Sequence, residues 1–403
     1  MFPWPLNFGG RQRIFHLARG IAAAHNVSVI AFNARAESPS PENVAAFLSN
    51  SGCKRVTIVP RNQPERGSAF DSSILGRMVE KVRSVDAHLR SPLPTFVRDV
   101  WSRALVSAIR SFADECPVDV VYAARSWMAE HARAAGLSPI AVDVDDLVSV
   151  MSKQRVSSSG WHRRKLIEMF DTAKESAYEK KLPERFARVI VVKQEDRDFF
   201  PAVDHDRVSV VPNGITIPSA PIPEPLVADT LLFVGTLGYG PNIDAARWFV
   251  TEVLPLIWRD RPDVRLNVAG YGSGGALRDA LGDPRCILHE SPDDLVPLYA
   301  QAALVVAPVR RGGGTKIKIL EALAHGRAVV ATPFAAEGLG LRRSVDIELA
   351  ESPAEMAALA IALLADRPRR IALAKAGRAQ VVERFDWRRI ESALPELVSS
   401  LCD

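Results

Sequence analysis

Residues 310–326 read Arg310-Arg311-Gly312-Gly313-Gly314-Thr315-Lys316-Ile317-Lys318-Ile319-Leu320-Glu321-Ala322-Leu323-Ala324-His325-Gly326. Three consecutive glycines let a ligand come close to the backbone. A helix starting near Thr315 then offers N–H groups with no partner inside the helix, together with a hydroxyl. With Arg310, Arg311 and Lys316 alongside, the chemistry this stretch suggests is anion binding. Glu321 falls about a turn and a half into that helix, placed to accept hydrogen bonds from a neutral hydroxylated group. One loop and one helix can thus hold a phosphate at one point and a sugar hydroxyl at another.

Asp143-Val144-Asp145-Asp146 is the other concentration of chemistry. Three acids so close together are costly to bury, so some of them face a cleft or cap a helix, and both readings stay open. Asp143 and Asp145 spell D-x-D, but their place in the first domain argues against a metal pair, and no H-x-H spacing accompanies them. His16, His25, His131 and His162 share no ligand spacing and read as surface or ordinary core residues. Cys53, Cys116, Cys286 and Cys402 are scattered, with no C-x-x-C, which suits a reducing compartment. Gly314-Thr315-Lys316 lacks the G-x-x-x-x-G-K-[ST] spacing of a P-loop NTPase.

A sheet-and-helix framework must position these groups. At 403 residues the chain exceeds one ordinary core, so two domains are expected, and 47% apolar with 24% charged residues describes a globular protein. The net charge of +4 is too mild for nucleic-acid binding, while acidic substrates and an anionic membrane surface remain compatible with it. The opening apolar stretch is too short for a secretory leader, and residues 356–365 are too few to cross a bilayer. Residues 27–32, 55–59, 118–123, 139–144, 188–192 and 207–211 read as strands. Helices are expected at 14–24, 97–112 and 162–180, and this alternation implies a mainly parallel sheet. The pair Gly9-Gly10 reads as a turn before the first helix. The prolines ahead of it leave no room for the strand that should precede it, so either the start of the chain is set too late or this sheet lacks its first strand. Residues 151–164, polar, basic and serine-rich, read as a solvated loop, with acceptor or membrane contact as the other reading.

Prolines crowd residues 212–225 and mark an interdomain linker. Beyond it, strands at 230–234, 264–269 and 303–307 each run into glycines: Gly235-Thr236, Gly270-Tyr271-Gly272 and Gly312-Gly313-Gly314. Ligands of open α/β sheets bind outside the carboxyl ends of strands, so this repetition points to one site. Further strands are expected at 286–289 and 328–332. Helices are expected at 243–258, 293–299, 356–365, 368–382 and 387–398.

The chain resembles retaining glycosyltransferases of the GT-B superfamily, in the group that includes bacterial cell-surface polysaccharide sugar transferases. The residues that carry the resemblance span nearly the whole chain. They are Asn7-Phe8-Gly9-Gly10-Arg11-Gln12-Arg13, Val211-Pro212-Asn213-Gly214, Phe233-Val234-Gly235-Thr236 with Pro241-Asn242, Gly312 through Ala322, and Thr332-Pro333 with Glu337-Gly338-Leu339. The resemblance implies two Rossmann-like domains facing across a cleft: residues 1–212 on the acceptor side, a linker at 213–229, a nucleotide-sugar domain at 230–385, and a helix at 386–403 returning toward the first domain. It makes Glu321 the acceptor of ribose hydroxyls. Lys316, the backbone of Gly312, Gly313, Gly314 and Thr315, and the Gly235-Thr236 loop would surround the diphosphate, with Arg310 and Asn242 beside it and Gly9-Gly10 approaching from the other domain. Residues around His289 would lie by the base. Two departures stand out: Gly313 where many relatives have a glutamate, and Asp145 where many have a histidine. Asn242 is also close to the place where relatives often carry a basic residue.

The activity so implied is transfer of a sugar from an NDP-sugar to an acceptor hydroxyl with retention, without cofactor or metal, with Asp145, Lys316 and Glu321 as the catalytic candidates. A sugar, a lipid-linked acceptor or another glycoconjugate would receive the sugar. Nucleic acid is not expected as a partner. A cytoplasmic location, with peripheral contact at the inner face of a membrane, is expected. The alternatives are a GT-B nucleotide-sugar epimerase and a noncatalytic sugar-nucleotide-binding or assembly protein.

Overall fold

The computed structural model describes residues 2–6, 9–33, 39–61, 91, 93–158, 165–225, 229–272, 275–312 and 317–402. Two compact units emerge, one of Met1–Val211 with Glu391–Asp403 and the other of Pro212–Ile390. Each is a Rossmann-like α/β unit with parallel strands.

In the first unit β1 (Ser28–Asn33) pairs in parallel with β2 (Arg55–Pro60). A separate parallel sheet contains β3 (Val121–Ala124), β4 (Ile140–Val144), β5 (Arg188–Val191) and β6 (Val208–Val210) in that order. Every residue of β4 is buried, as expected of a central strand covered on both faces. No strand precedes the first helix among residues 2–6. The expected turn at Gly9-Gly10 is corrected: both glycines belong to the helix α1 (Gly9–Ala22). Tertiary anchoring overrides their low propensity. Arg13, on the second turn, donates from Nε and Nη2 to the two carboxylate oxygens of Asp143 at 2.9 and 2.6 Å, and Phe15 and Leu17 are buried.

The helix expected over 97–112 is also corrected. It is two helices, Thr95–Arg98 and α3 (Arg103–Glu115), following α2 (Pro41–Ser51) in the sequence. Ser102 interrupts it, capping the Leu105 N–H through its hydroxyl while giving its own N–H to His131 Nε2 at 2.9 Å. After α4 (Ser126–Ala134) comes a third correction, since residues 148–158 form a helix, α5 (Val148–Ser158), where a loop was expected. Its first turn is capped from a distance: the Glu179 carboxylate accepts the N–H groups of Val148 and Ser149 at 2.6 and 3.1 Å. A cap supplied from 31 residues away leaves no local signature in the sequence. Residues 159–164, His162 among them, lie outside the described residues.

The second unit has one parallel sheet of β7 (Thr230–Val234), β8 (Arg265–Gly270), β9 (Cys286–Glu290), β10 (Leu304–Ala307), β11 (Ala328–Ala331) and β12 (Glu348–Leu349). The order is β12-β11-β10-β7-β8-β9, so the chain steps outward from β7 to β9 and then returns to β7's other side. The sequences of β10 and β11, Leu-Val-Val-Ala and Ala-Val-Val-Ala, are buried throughout, which is why they read as unbroken apolar runs. Helices α6 (Gly240–Trp248), α7 (Ile317–Ala324), α8 (Pro353–Ala365) and α9 (Arg367–Arg384) belong to this unit. The proline stretch counts with it as well. Fully buried Arg327 donates to the Pro223 carbonyl, and Arg370 bonds Glu224.

The last helix, α10 (Trp387–Ser399), is divided between the units after Ile390. In the first unit its Glu391 accepts hydrogen bonds from Arg19 and pairs with His16 at 2.6 Å.

Candidate functional site

The reversal of strand order between β7 and β10 is where an open parallel sheet leaves a crevice at its carboxyl edge. The glycine segments after β7, β8 and β10 follow three adjacent strands there. The loops after β7 and β8 extend the sheet's ladder: Gly235 N–H donates to the Ala269 carbonyl at 2.9 Å and Leu237 N–H to the Tyr271 carbonyl at 2.8 Å. Gly270 has to be glycine because a Cβ there would stand 1.9 Å from the Gly235 oxygen. The loop after β10 closes on the same place. Gly312 has φ 120°, which side-chain-bearing residues rarely adopt, and a Cβ on it would meet the Tyr239 hydroxyl at 3.1 Å and Pro241 at 3.2 Å. Thr332 fixes this loop from behind, with its hydroxyl donating to the Val309 carbonyl and accepting from the Ala335 N–H.

Lys318 joins these loops chemically. Its Nζ donates to Asn242 Oδ1 at 2.6 Å, and Asn242 Nδ2 donates to the Thr236 carbonyl at 3.0 Å. The ammonium lies 4.6 Å from the centre of the Phe233 ring. Gly235 is packed against both side chains, since a Cβ there would come within 2.8 Å of Asn242 Nδ2 and 3.0 Å of Lys318 Nζ. The basic group missing from position 242 is therefore present in space, supplied by the next motif. Gly235, Thr236, Asn242 and Lys318 are joined by these contacts, and Gly312 lies against Tyr239 and Pro241. Gly313, Gly314, Thr315 and Lys316 lie outside the described residues.

Arg310 and Arg311 share one carboxylate, Asp244, at 3.0 and 3.3 Å, and Arg310 also lies over the Trp248 ring. Asp244 sits on α6 and offsets part of the positive charge that the sequence places on this loop. Nothing local announces that partnership across 66 residues.

Glu321 follows Lys318 by three positions on α7, so the two project from neighbouring places on the helix. Desolvation raises the Glu321 pKa above its ordinary 4.5, and the nearby Tyr299 hydroxyl offsets part of that rise. Tyr299 is fully buried, and its hydroxyl interacts electrostatically with the Glu321 carboxylate without forming a full hydrogen bond. Its ring stacks on His325 with centroids 4.6 Å apart. A carboxylate withdrawn from water beside an unpartnered buried hydroxyl suits a hydroxyl-bearing ligand. On β9, His289 bonds the buried Asn267 at 3.1 Å, and burial lowers its pKa, favouring the neutral ring. Next to it Ser291 ties the loop after β8, accepting from the Gly272 N–H at 2.9 Å.

In the first unit, Gly10 and Asp145 line one small hollow with Arg13, Ala124, Arg125 and Asp143. Burial works against the charge of Arg13, but the Asp143 carboxylate outweighs it and raises the guanidinium pKa. The pair is a structural clamp, which the acid cluster alone does not reveal. Asp145 instead pairs with Arg125 at 3.1 Å, and Arg125 holds the uncommon φ of 111°.

Residues 228–366 match the family model of group 1 glycosyl transferases. An uncharacterized 44.6 kDa protein in the cps region of Klebsiella pneumoniae is 29% identical over 164 residues, which cover 37% of this chain and 42% of that relative's length. HepE of Anabaena, crystallised with UDP and glucose, superposes with a TM-score of 0.63 at 15% identity, covering 98% of this chain and 96% of its own. TarM of S. aureus, in a complex that includes UDP, gives a TM-score of 0.54 at 13% identity, covering 74% of this chain and 59% of its own.

Proposed function

We propose, from a chain that has the GT-B fold of the group 1-type glycosyltransferases, that it moves a sugar from an NDP-sugar to an acceptor hydroxyl with retention at the anomeric carbon. The observation that carries this reading is the meeting of the Gly235, Gly270 and Gly312 loops at the strand-order reversal, with Lys318 and Asn242 in the gap and Glu321 further along the same helix. In this reading the diphosphate lies against the Gly235-Thr236 backbone, with Lys318, Asn242 and Gly312 beside it. Glu321 accepts the ribose hydroxyls, and the base lies by His289. UDP in the HepE and TarM complexes makes uridine the first base to test.

As transfer proceeds, the bond from the anomeric carbon to the diphosphate oxygen breaks and negative charge builds on the leaving group. Fixed N–H donors and the ammonium of Lys318 meet that charge without rearranging, which is how such a step is accelerated. The acceptor oxygen forms its bond on the face the diphosphate leaves, and its proton passes to the departing diphosphate. Asp145, held by Arg125, is assigned to orienting the acceptor. Exposed Leu166, Ile167, Met169 and Phe170, on the helix Lys165–Lys180, support a lipid-linked acceptor or a peripheral membrane contact. Among the described residues no helix is long and apolar enough to cross a membrane.

Turnover assays with UDP-, GDP- and ADP-sugars against a panel of soluble and lipid-linked acceptors test the proposal. Glycoside and NDP should appear together in equal amounts. An epimerised donor without glycoside would replace it with an epimerase, and binding without any turnover would make the chain a noncatalytic binder.

A further inference from the structure

The first unit contains a slot the size of a missing strand. Among the described strands, β1 pairs only with β2, and β3 only with β4, so each has one edge without a strand neighbour. Between those edges lies a cavity of about 710 Å³ lined by residues of β1 (Ser28, Val29, Ile30) and all of β3. Protein interiors are close-packed, and even an engineered void of about 150 Å³ is large. Both faces of the slot are covered. Ile14, Leu17 and Ile21 of α1 line it, as do Ile109 and Phe112 of α3 and Met128 and Ala132 of α4. An occupant covered by these side chains must be apolar on both faces, the character of a central parallel strand.

The path of the chain says which segment fits. Gly10 and Arg13 of α1 share the small hollow with Ala124 and Arg125, at the carboxyl end of β3. Ile21 and the following Ala24 and His25 line the slot with Val118 and Asp119, which precede β3. So α1 runs antiparallel to β3 along the slot and then feeds β1, as the crossover helix of a βαβ unit does. Right-handed crossovers place the strand before such a helix in the same sheet as the strand after it, and the vacant place is beside β1.

We propose that the slot seats an apolar strand of about five residues, parallel to β1 and β3 and joined to the chain ahead of residue 1. Its seating would merge the two sheets of this unit into one. Its recognition is by main-chain hydrogen bonds on two edges and apolar side chains on two faces. This inference is independent of the proposed donor site, whose residues belong to the second unit.

The test compares the chain starting at residue 1 with two versions lengthened at that end, one by six apolar β-forming residues and one by six serines and glycines. Hydrogen exchange is followed at the amides of β1 and β3, along with alkylation of Cys116 and Cys402, which also line the slot. The apolar extension should slow exchange at both edges roughly tenfold or more, shield Cys116 and raise the melting temperature, and the polar extension should do none of these. Equal protection in all three proteins, or none with the apolar extension, overturns the proposal. Protection of the unlengthened chain that vanishes on dilution overturns it too, by making a second copy the occupant. If the unlengthened chain cannot be recovered folded, an aspartate is placed at the middle of the apolar extension. Protection at β1 and β3 should then be lost, and unchanged protection refutes the inference.

Discussion

Replacing Glu321 with glutamine separates a ligand-binding carboxylate from a structural one, because the two roles predict effects of opposite sign. Glu321→Gln keeps the side chain's shape but removes the charge that would accept ribose hydroxyls. Hydrogen bonds to a charged group contribute about 1.5–3 kcal/mol, so NDP affinity should fall about 10- to 150-fold. Stability should move the other way. Burial raises the Glu321 pKa above its unfolded value of 4.5. A raised folded pKa means that the group's contribution to stability is fully present below the unfolded pKa and is lost as pH rises through the folded one. Above the unfolded pKa the buried group is therefore a burden on the native state, and at neutral pH the glutamine variant should melt at the same temperature or higher. Isothermal titration with nucleoside diphosphates and thermal unfolding, on the same preparation, give both readouts. Unchanged NDP affinity would remove Glu321 from the nucleotide site. A melting temperature lowered by several degrees would show instead that Glu321 holds Tyr299 in place and that the binding argument is mistaken.

The same group sets a pH dependence. NDP affinity of the unaltered chain should weaken as pH falls through the raised Glu321 pKa, while the Glu321→Gln variant should show a flatter profile in titrations across that range. Lys318→Met should weaken NDP binding about tenfold or more with little loss of stability, and unaltered affinity would exclude the ammonium from the diphosphate site. Gly270→Ala forces a methyl group to within 1.9 Å of the Gly235 oxygen, so it should cost about 1–3 kcal/mol in denaturant unfolding and weaken NDP binding as the loops part. In the first unit, Arg13→Met strands the Asp143 carboxylate in a site where the pair is 1% and 2% exposed. Its expected cost is about 3–5 kcal/mol, read from chemical denaturation.

The strands of the second unit were legible in the sequence because a parallel sheet covered on both faces needs unbroken apolar runs, and residues 304–307 and 328–331 are such runs. The site was legible as a repetition of glycines after strands, since close backbone approach admits few other residues. Local pattern failed where a distant group did the work. Glu179 caps α5 from another helix, Asp143 anchors the glycine-rich start of α1 through Arg13, and Asp244 draws in Arg310 and Arg311. Sequence by itself determined which segments would be strands, that the chain would make two α/β units, and which loops leave their backbone open to close approach, because periodicity and glycine act over a few neighbouring residues. The gap ahead of the first helix was legible as well, in the prolines that leave a strand no room there. Only the tertiary structure decided that Lys318 bonds Asn242, and that Asp143 clamps Arg13 while Asp145 pairs with Arg125. Those outcomes depend on distances between residues far apart in the chain, which no local pattern encodes.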